Sequence, residues 1–432
     1  GEYTAIVKDF EDELCGVCYL KRKLPDIMKD ELQLKEAVRY PSTSELPTVQ
    51  YKLSIKENVV HELKEKLETI DKSLTKKFVS VPKLKGKSLY NMDGQFLMQG
   101  TYRKEYMKQE IGLDVDESKL EDVKNFLKKN SISPPVYYAI LSMDGDEIGN
   151  WLNGKQMIPI KELMHAESKK ALQHFWDKDK INDLHTILNS PHPMSPSFHN
   201  GFSRRLSYFA LEEVKKIVEN TYYGKLIYAG GDDVMAFLPV KDAVDCANEL
   251  QNAFKTVLCN NATMSAGIVY VHHKYPLAFA LNEVRTAEKL AKDKYGRNAC
   301  CIKLLKNSGE KRITGFKWGG SDEISHQRFF NTIIKLYRDD KLSSKFAYDF
   351  MNIVEELKYS PEDSSLKQSN VKQIVKSELK RIYSHKQSKE NKNNAFLQQM
   401  LSVFDSWEYE YQDFANIFII ARFISKEGRE II

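Results

Sequence analysis

Apolar positions follow different rhythms along the chain, and each rhythm marks a region. Between Ser54 and about Lys77 they recur every three or four residues, at Val59, Val60, Leu63, Leu67, Ile70 and Leu74, among Lys and Glu. That spacing lines one helical face and predicts a long amphipathic helix, with a second over 120–129. Residues 1–50 show no such period and read as loop-rich. Pro134-Pro135 ends the helical rhythm, because proline removes a backbone donor and clashes with the preceding turn. A domain boundary therefore belongs near 132. Residues 136–143 are a short apolar run suited to a buried strand.

Beyond that run strands and helices alternate: strand 136–143, helix 204–220, strands 225–229 and 234–238, helix 241–258, strand 262–271. The βαββαβ order is that of a ferredoxin-like α+β sheet, extended by a helix over 276–292 and a strand over 299–305. An excursion over 150–202, with a Pro-, Ser- and His-rich loop at 190–200, interrupts it as a lid or partner surface would. After Gly319-Gly320 the period is helical, from Phe329, Ile333, Leu336 and Tyr337 to Phe414, Ile417, Ile419 and Phe423. The chain thus divides into 1–132, 133–318 with its insertion, and 319–432. Within the last, residues 364–392 carry eight Lys and Arg against Glu378 and Glu390. Lys367, Lys372, Lys376 and Lys380 form a stripe that is either a solvated face or a contact for RNA or an acidic neighbouring subunit.

Composition narrows the class further. A chain of 432 residues, 42% hydrophobic and 29% charged, is long enough for several domains with cores. No window approaches the ~20 consecutive apolar residues of a membrane span. The first residues resemble neither a signal nor a transit peptide, and the missing initiator Met suggests a fragment of a longer protein. Cys15, Cys18, Cys246, Cys259, Cys300 and Cys301 make no disulfide framework, so a reducing cytoplasm is expected. Cys15-Gly16-Val17-Cys18 has the spacing of half a tetrahedral zinc site. The other four fall at helix or strand positions where buried structural Cys is expected. The balance of 65 Lys and Arg against 60 Asp and Glu is too mild to imply nucleic acid by itself.

Two strand ends carry more chemistry than a plain fold asks for. The run 136–143 leads into Asp144-Gly145-Asp146, and Tyr228-Ala229-Gly230-Gly231-Asp232-Asp233 joins two strands through a tight hairpin with carboxylates at its tip. In the βαββαβ order these ends are neighbours, so Asp144, Asp232 and Asp233 converge. Three carboxylates repel unless divalent cations sit among them, and hard oxygen ligands favour Mg²⁺ or Mn²⁺. Two such ions about 3.5–4 Å apart would align an attacking hydroxyl and stabilise a pyrophosphate leaving group. Gly145, Gly230 and Gly231 leave room for a triphosphate to reach backbone N–H groups. The competing reading is an ordinary turn, since Asp and Gly are common turn residues; the strand context and Asp144 favour the site. Asp146 either joins the ligands or caps the helix starting near Ile148. Lys292 and Arg297 either neutralise phosphates or complement a helix dipole before the cap at Gly296. His272-His273 reads as a solvated pair.

The segments Ser142-Met143-Asp144-Gly145-Asp146-Glu147-Ile148-Gly149, Tyr228 to Asp233 and Met264-Ser265-Ala266-Gly267-Ile268 resemble the large polymerase-like subunit of type III CRISPR-Cas effector complexes, above all its III-B (Cmr) form. The Cys15 to Arg22 block followed by Pro41-Ser42-Thr43 is similar to that subunit's zinc-bearing region, and the resemblance extends over essentially the whole chain. It implies a GGDEF-like palm flanked by a zinc-proximal N-terminal helical region and a C-terminal α-helical domain. It also implies an activity: once target RNA is bound, the palm converts ATP into cyclic oligoadenylates through 3′–5′ linkages, a second messenger in antiviral defence.

Carried over residue by residue, the resemblance makes Asp144, Asp232 and Asp233 catalytic ligands of Mg²⁺ or Mn²⁺. Gly145, Asp146, Ser203, Gly230, Gly231, Ser265, Lys292 and Arg297 become nucleotide contacts, although one extra residue separates Lys292 from Gly296 relative to the GGDEF pattern. Cys15 and Cys18 become half of a Zn²⁺ site whose other pair is expected upstream of Gly1. The implied partners are ATP, and guide and target RNA held through other effector subunits. The family's HD nuclease and first palm-like domain are not visible, and no His-Asp dipeptide occurs, so no DNA nuclease activity is expected. The rivals are adenylyl transfer to S-adenosylmethionine, a GGDEF-like cyclase, and a non-catalytic scaffold.

Overall fold

The computed structural model describes residues 6–9, 12–33, 40–76, 78–179, 182–258, 262–319, 325–358, 368–386 and 393–428. They fall in two compact units, 1–45 with 55–133, and 46–54 with 134–432. In the first unit, strands β1 (Ile6–Asp9) and β2 (Asp12–Cys15) pair as an antiparallel hairpin and run into helix α1 (Gly16–Glu31). This region is more regular than its loop-like sequence predicts. Helix α2 (Glu57–Ile70) buries Val60, Leu63 and Leu67, the apolar stripe read from the spacing. Helix α3 (Glu117–Lys129) buries Leu120, Val123, Phe126 and Leu127, and Lys66 on α2 meets Asp122 on α3 at 2.8 Å.

The second unit is built on a six-stranded sheet. Its strands are β3 (Tyr137–Gly145), β4 (Lys225–Gly230), β5 (Asp233–Pro239), β6 (Met264–His272), β7 (Ala299–Leu305) and β8 (Lys311–Lys317), in the order β4-β5-β3-β6-β7-β8. Central β3 is antiparallel to β5 and to β6, as the βαββαβ pattern requires. Strand β7 then joins parallel to β6, and β8 returns antiparallel to β7. The last strand is absent from the sequence reading because Lys311, Arg312, Gly315 and Lys317 break its apolar run.

Helix α4 (Pro196–Tyr208) opens the predicted 204–220 helix, but the chain then widens into π-helical turns at Phe209–Glu213 and Lys216–Thr221. Ala139, Leu141 and Met143 of β3 share a core with Val244, Ala247, Leu250 and Phe254 of helix α5 (Ala243–Val257). Helix α6 (Leu277–Asp293) crosses the opposite face. It rests directly on Gly267, where a Cβ would fall 2.4 Å from the Glu288 backbone nitrogen and 2.6 Å from the Val284 carbonyl.

Helices α7 (His326–Arg338), α8 (Ser344–Lys358), α9 (Gln368–Lys386), α10 (Asn394–Asp405) and α11 (Tyr411–Glu427) complete this unit. The predicted separation of 319–432 from the sheet is corrected here. Phe316 and Trp318 continue without a break into Phe329, Phe330, Phe346, Phe414 and Phe418. Thr314 Oγ1 donates to the Asp413 carbonyl at 2.8 Å, and Asn416 Nδ2 donates to the Ile313 carbonyl at 2.7 Å. Residues 46–54 also belong to this unit rather than to the first, with Gln50 Nε2 donating to Asp242 at 2.9 Å. Part of the basic stripe is neutralised internally: Lys372 donates to the Asp405 carbonyl, Lys376 meets the Asp405 carboxylate at 2.6 Å, and Arg381 pairs with Glu378. No helix among the described residues is long and apolar enough to cross a membrane.

Candidate active site

Strands β4 and β5 pair up to Gly230 and Asp233, leaving Gly231-Asp232 as a two-residue turn. Gly231 has φ +66°, the left-handed first position that a type II′ hairpin turn favours. Met143 pairs with Val234 in β5, so the next position of β3 sets Asp144 beside Asp233; on its other side Asp144 pairs with Ser265. Gly145 follows, where a Cβ would lie 2.9 Å from Asp232 Cβ and 2.6 Å from Ile148 Cγ1. The missing side chain is what lets the hairpin tip close against β3. The structure therefore gathers Asp144, Gly145, Gly230, Gly231, Asp232 and Asp233 at one end of the sheet.

Asp232 is half-buried and Asp233 lies at the exposed tip, and both are partly desolvated. Burial raises the Asp232 carboxyl above its usual range, and the Asp233 charge adds to the rise. Loss of solvent likewise raises Asp233. A further acid, Glu288 on α6, belongs to the group: burial raises it, with Asp233 contributing, while the Ser142 hydroxyl donates to Glu288 Oε2 at 2.6 Å. Lys292, one turn later, pairs with Asp144 and lies 3.7 Å from Glu288 Oε1. Burial lowers the Lys292 ammonium, and the Arg297 charge lowers it further. Glu288 was missed from the sequence, although its i,i+4 spacing to Lys292 on a helix beside the Asp144 strand was a usable signal.

Other sequence assignments land elsewhere. Asp146 is buried, and neither of its two sequence roles is what the geometry gives. Its carboxylate accepts from Thr263 Oγ1 at 2.8 Å, Ser265 Oγ at 2.7 Å and the Asn298 N–H at 2.8 Å. The helical turn beginning at Ile148 has Glu147, at φ +56°, in the cap position with no side-chain cap bond. Ser265 is fully buried and spends its hydroxyl on Asp146. Arg297 is exposed and meets Glu147 at 3.7 Å. Ser203 is half-buried on α4, where no hydrogen bond joins it to the aspartates; its neighbour Phe202 stacks on Trp151.

The side chains of Cys15 and Cys18, and all of Cys259, lie outside the described residues. Cys246, Cys300 and Cys301 are buried and free, as expected. The His272-His273 pair is corrected: His273 is buried, and burial with the neighbouring His272 and Lys274 charges pushes it down to about 4.

Among the described residues no group of three His, Cys, Asp or Glu side chains is arranged as a metal-binding set. The donor chemistry nevertheless fits Mg²⁺ or Mn²⁺: every acid offers hard oxygen, and a cation would offset the burial that raises Asp232, Asp233 and Glu288.

The family model for the Cas10/Cmr2 second palm domain matches residues 137–301, a stretch that contains Asp144, Asp232, Asp233, Glu288 and Lys292. Residues 137–301 are a Cas10/Cmr2 second palm domain. The chain carrying this palm is 30% identical over 319 residues to the CRISPR system Cmr subunit Cmr2 of Pyrococcus furiosus, covering 71% of this chain and 34% of that protein. It is 31% identical over 195 residues to the CMR subunit Cmr2 of Saccharolobus solfataricus, covering 40% and 17%. The chain thus spans about a third or less of these relatives' length.

In fold, 97% of the chain matches 52% of a chain from a type III-B Cmr-beta assembly bound to cognate target RNA, with TM-score 0.62 at 15% identity. The apo state of Cmr-beta matches 96% of the chain and 52% of its own, with TM-score 0.55 at 16% identity. The resemblance to the III-B form of the type III large subunit, read from the strand end and the hairpin, is borne out.

Proposed function

We propose that this palm is the nucleotidyltransferase centre of a type III CRISPR effector large subunit. It joins ATP into cyclic oligoadenylates when target RNA is engaged, with guide RNA, through the other subunits of a cytoplasmic complex. The observation that carries this reading is the meeting of Asp144, Asp232 and Asp233 at the β3 end and hairpin tip, where burial raises the Asp232 and Asp233 carboxyls. Mg²⁺ or Mn²⁺ bound there would polarise the α-phosphate and stabilise the departing pyrophosphate. Gly145, Gly230 and Gly231 keep the backbone open to a triphosphate. Lys292 brings a cation to the same wall, and exposed Arg297 stands on the loop that follows α6.

A scaffold role is the one rival with an observation behind it, since Lys292 already neutralises Asp144. Both readings are decided by incubating the assembled complex with labelled ATP, Mg²⁺ or Mn²⁺ and target RNA. Parallel samples contain S-adenosylmethionine, and products are identified by mass. Cyclic oligoadenylates are expected, falling by about 100-fold or more in Asp232→Ala with Asp233→Ala while assembly persists. Full synthesis by the double variant sinks the assignment. Absence of product from the unaltered complex favours the scaffold, and an adenylylated S-adenosylmethionine product changes the acceptor alone.

A further inference from the structure

We infer that Lys292 is the resident counter-ion of Asp144, standing where a divalent cation would bind, and that Glu288 is the seat to which it retires when the cation arrives. This rests on the reading of Asp144, Asp232 and Asp233 as a metal site. Three observations carry it. Lys292 pairs with Asp144. Glu288 sits one turn back on α6, with Oε1 3.7 Å from the same ammonium. The Glu288 carboxylate is held in place from β3, where Ser142, on the same sheet face as Asp144, donates to its other oxygen.

A half-buried ammonium that loses its partner is strongly unfavourable. A cation entering at Asp144 therefore needs somewhere to send Lys292. Moving helix α6 away as a body would break its close backbone packing on Gly267. The flexible four-carbon stem can turn instead, and Glu288 is the acid within reach. The other charges around the pair are mixed: Asp233 and Asp146 make a positive partner welcome at Glu288 although Arg285 already faces it, and Arg297 disfavours a second cation beside Lys292 while Asp293 favours the Lys292 charge. The consequence is competition. The protein holds its own cation at Asp144, and metal must displace it.

The test is Mn²⁺ binding to the 432-residue chain, followed by the electron paramagnetic resonance of free Mn²⁺, with thermal melts to check folding. Lys292→Met is expected to bind Mn²⁺ about three- to tenfold more tightly, and Glu288→Gln about threefold or more weakly, because Lys292 then has no second seat. The double variant decides between exchange and simple summed charge. Exchange predicts the affinity of Lys292→Met alone, since Glu288 acts through Lys292, whereas summed charge predicts a return towards the unaltered protein. Unchanged or weaker binding by Lys292→Met, or additivity in the double variant, overturns the inference. Lys292→Gln replaces Lys292→Met if the latter fails to fold. If Asp232→Asn with Asp233→Asn leaves Mn²⁺ binding intact, the metal-site reading itself falls, a result separate from the behaviour of Lys292.

Discussion

Acids whose folded-state pKa lies above the ordinary value are ionised at neutral pH at the fold's expense. The folded protein holds their protons more tightly than the unfolded chain does, so their contribution improves as pH falls and is unfavourable at pH 7. Asp232, Asp233 and Glu288 are such groups. Asp232→Asn with Asp233→Asn is therefore expected to stabilise the metal-free chain, by about 0.5 kcal/mol after screening at the exposed tip. Urea denaturation without metal checks this, and a clear loss of stability would show that the carboxylates do structural work. His273 runs the opposite way. Its folded value of about 4 lies below the ordinary 6.5, so the unfolded chain takes up the proton first. Stability should fall as pH drops from about 6.5 towards 4, and His273→Gln should flatten that slope in thermal melts. An unchanged slope would remove His273 as the cause. The candidate acids Asp144, Asp232 and Asp233 were legible because they stand at strand ends, where charge stands out. Asp146 was not, because its side-chain and backbone partners lie 117 to 152 positions away.

Elements whose interior is uniform announce themselves, and those with mixed surroundings do not. β3 and β7 are mostly apolar and almost wholly buried, Lys303 being the one charge in β7, and were readable as apolar runs, while β8, at the sheet edge, carries Lys311, Arg312 and Lys317 at its ends. Neither the π-helical turns after α4 nor the seating of α6 has a periodic signature. Gly267 is a point of close backbone approach between the sheet and the helix that carries Glu288 and Lys292. Gly267→Ala would drive a methyl into the helix backbone, 2.4 Å from the Glu288 nitrogen, with no flexible side chain to yield. We expect a loss of the order of 2–3 kcal/mol in urea denaturation, as in overpacked cores, together with weaker Mn²⁺ binding as Lys292 and Glu288 shift. A variant as stable as the parent would mean that α6 is free to move, which would also weaken the case for side-chain exchange at Lys292.

At the scale of the molecule, the boundary near 132 was visible because prolines and a change of rhythm mark it. The one at 318 was misleading, because glycines at 319–320 resemble a linker whereas the core passes straight through. Periodicity can show that α7 and α11 have apolar faces, but not that Phe330 meets the sheet's own Phe316 at 5.6 Å or that Phe329, Phe414 and Phe418 share the sheet's core. The same seam carries polar ties: Tyr295 donates to Asp413 at 2.8 Å, and Lys294 pairs with that carboxylate, joining the loop after α6 to α11. A fragment of 133–318 would expose Tyr295, Phe316 and Trp318 and lose the aromatic residues packed on them. Each buried large side chain is worth about 1.5–3 kcal/mol, so several together rival the whole stability of a domain, about 5–15 kcal/mol. The fragment 133–318 is therefore expected to aggregate or melt without cooperativity, and 133–428 to melt as one unit. Both lack 46–54, so that loss cancels in the comparison. Calorimetry of the two fragments checks the point. A cooperative transition for 133–318 at the temperature of the longer fragment would restore the C-terminal helices to a separate domain and leave the palm to stand alone.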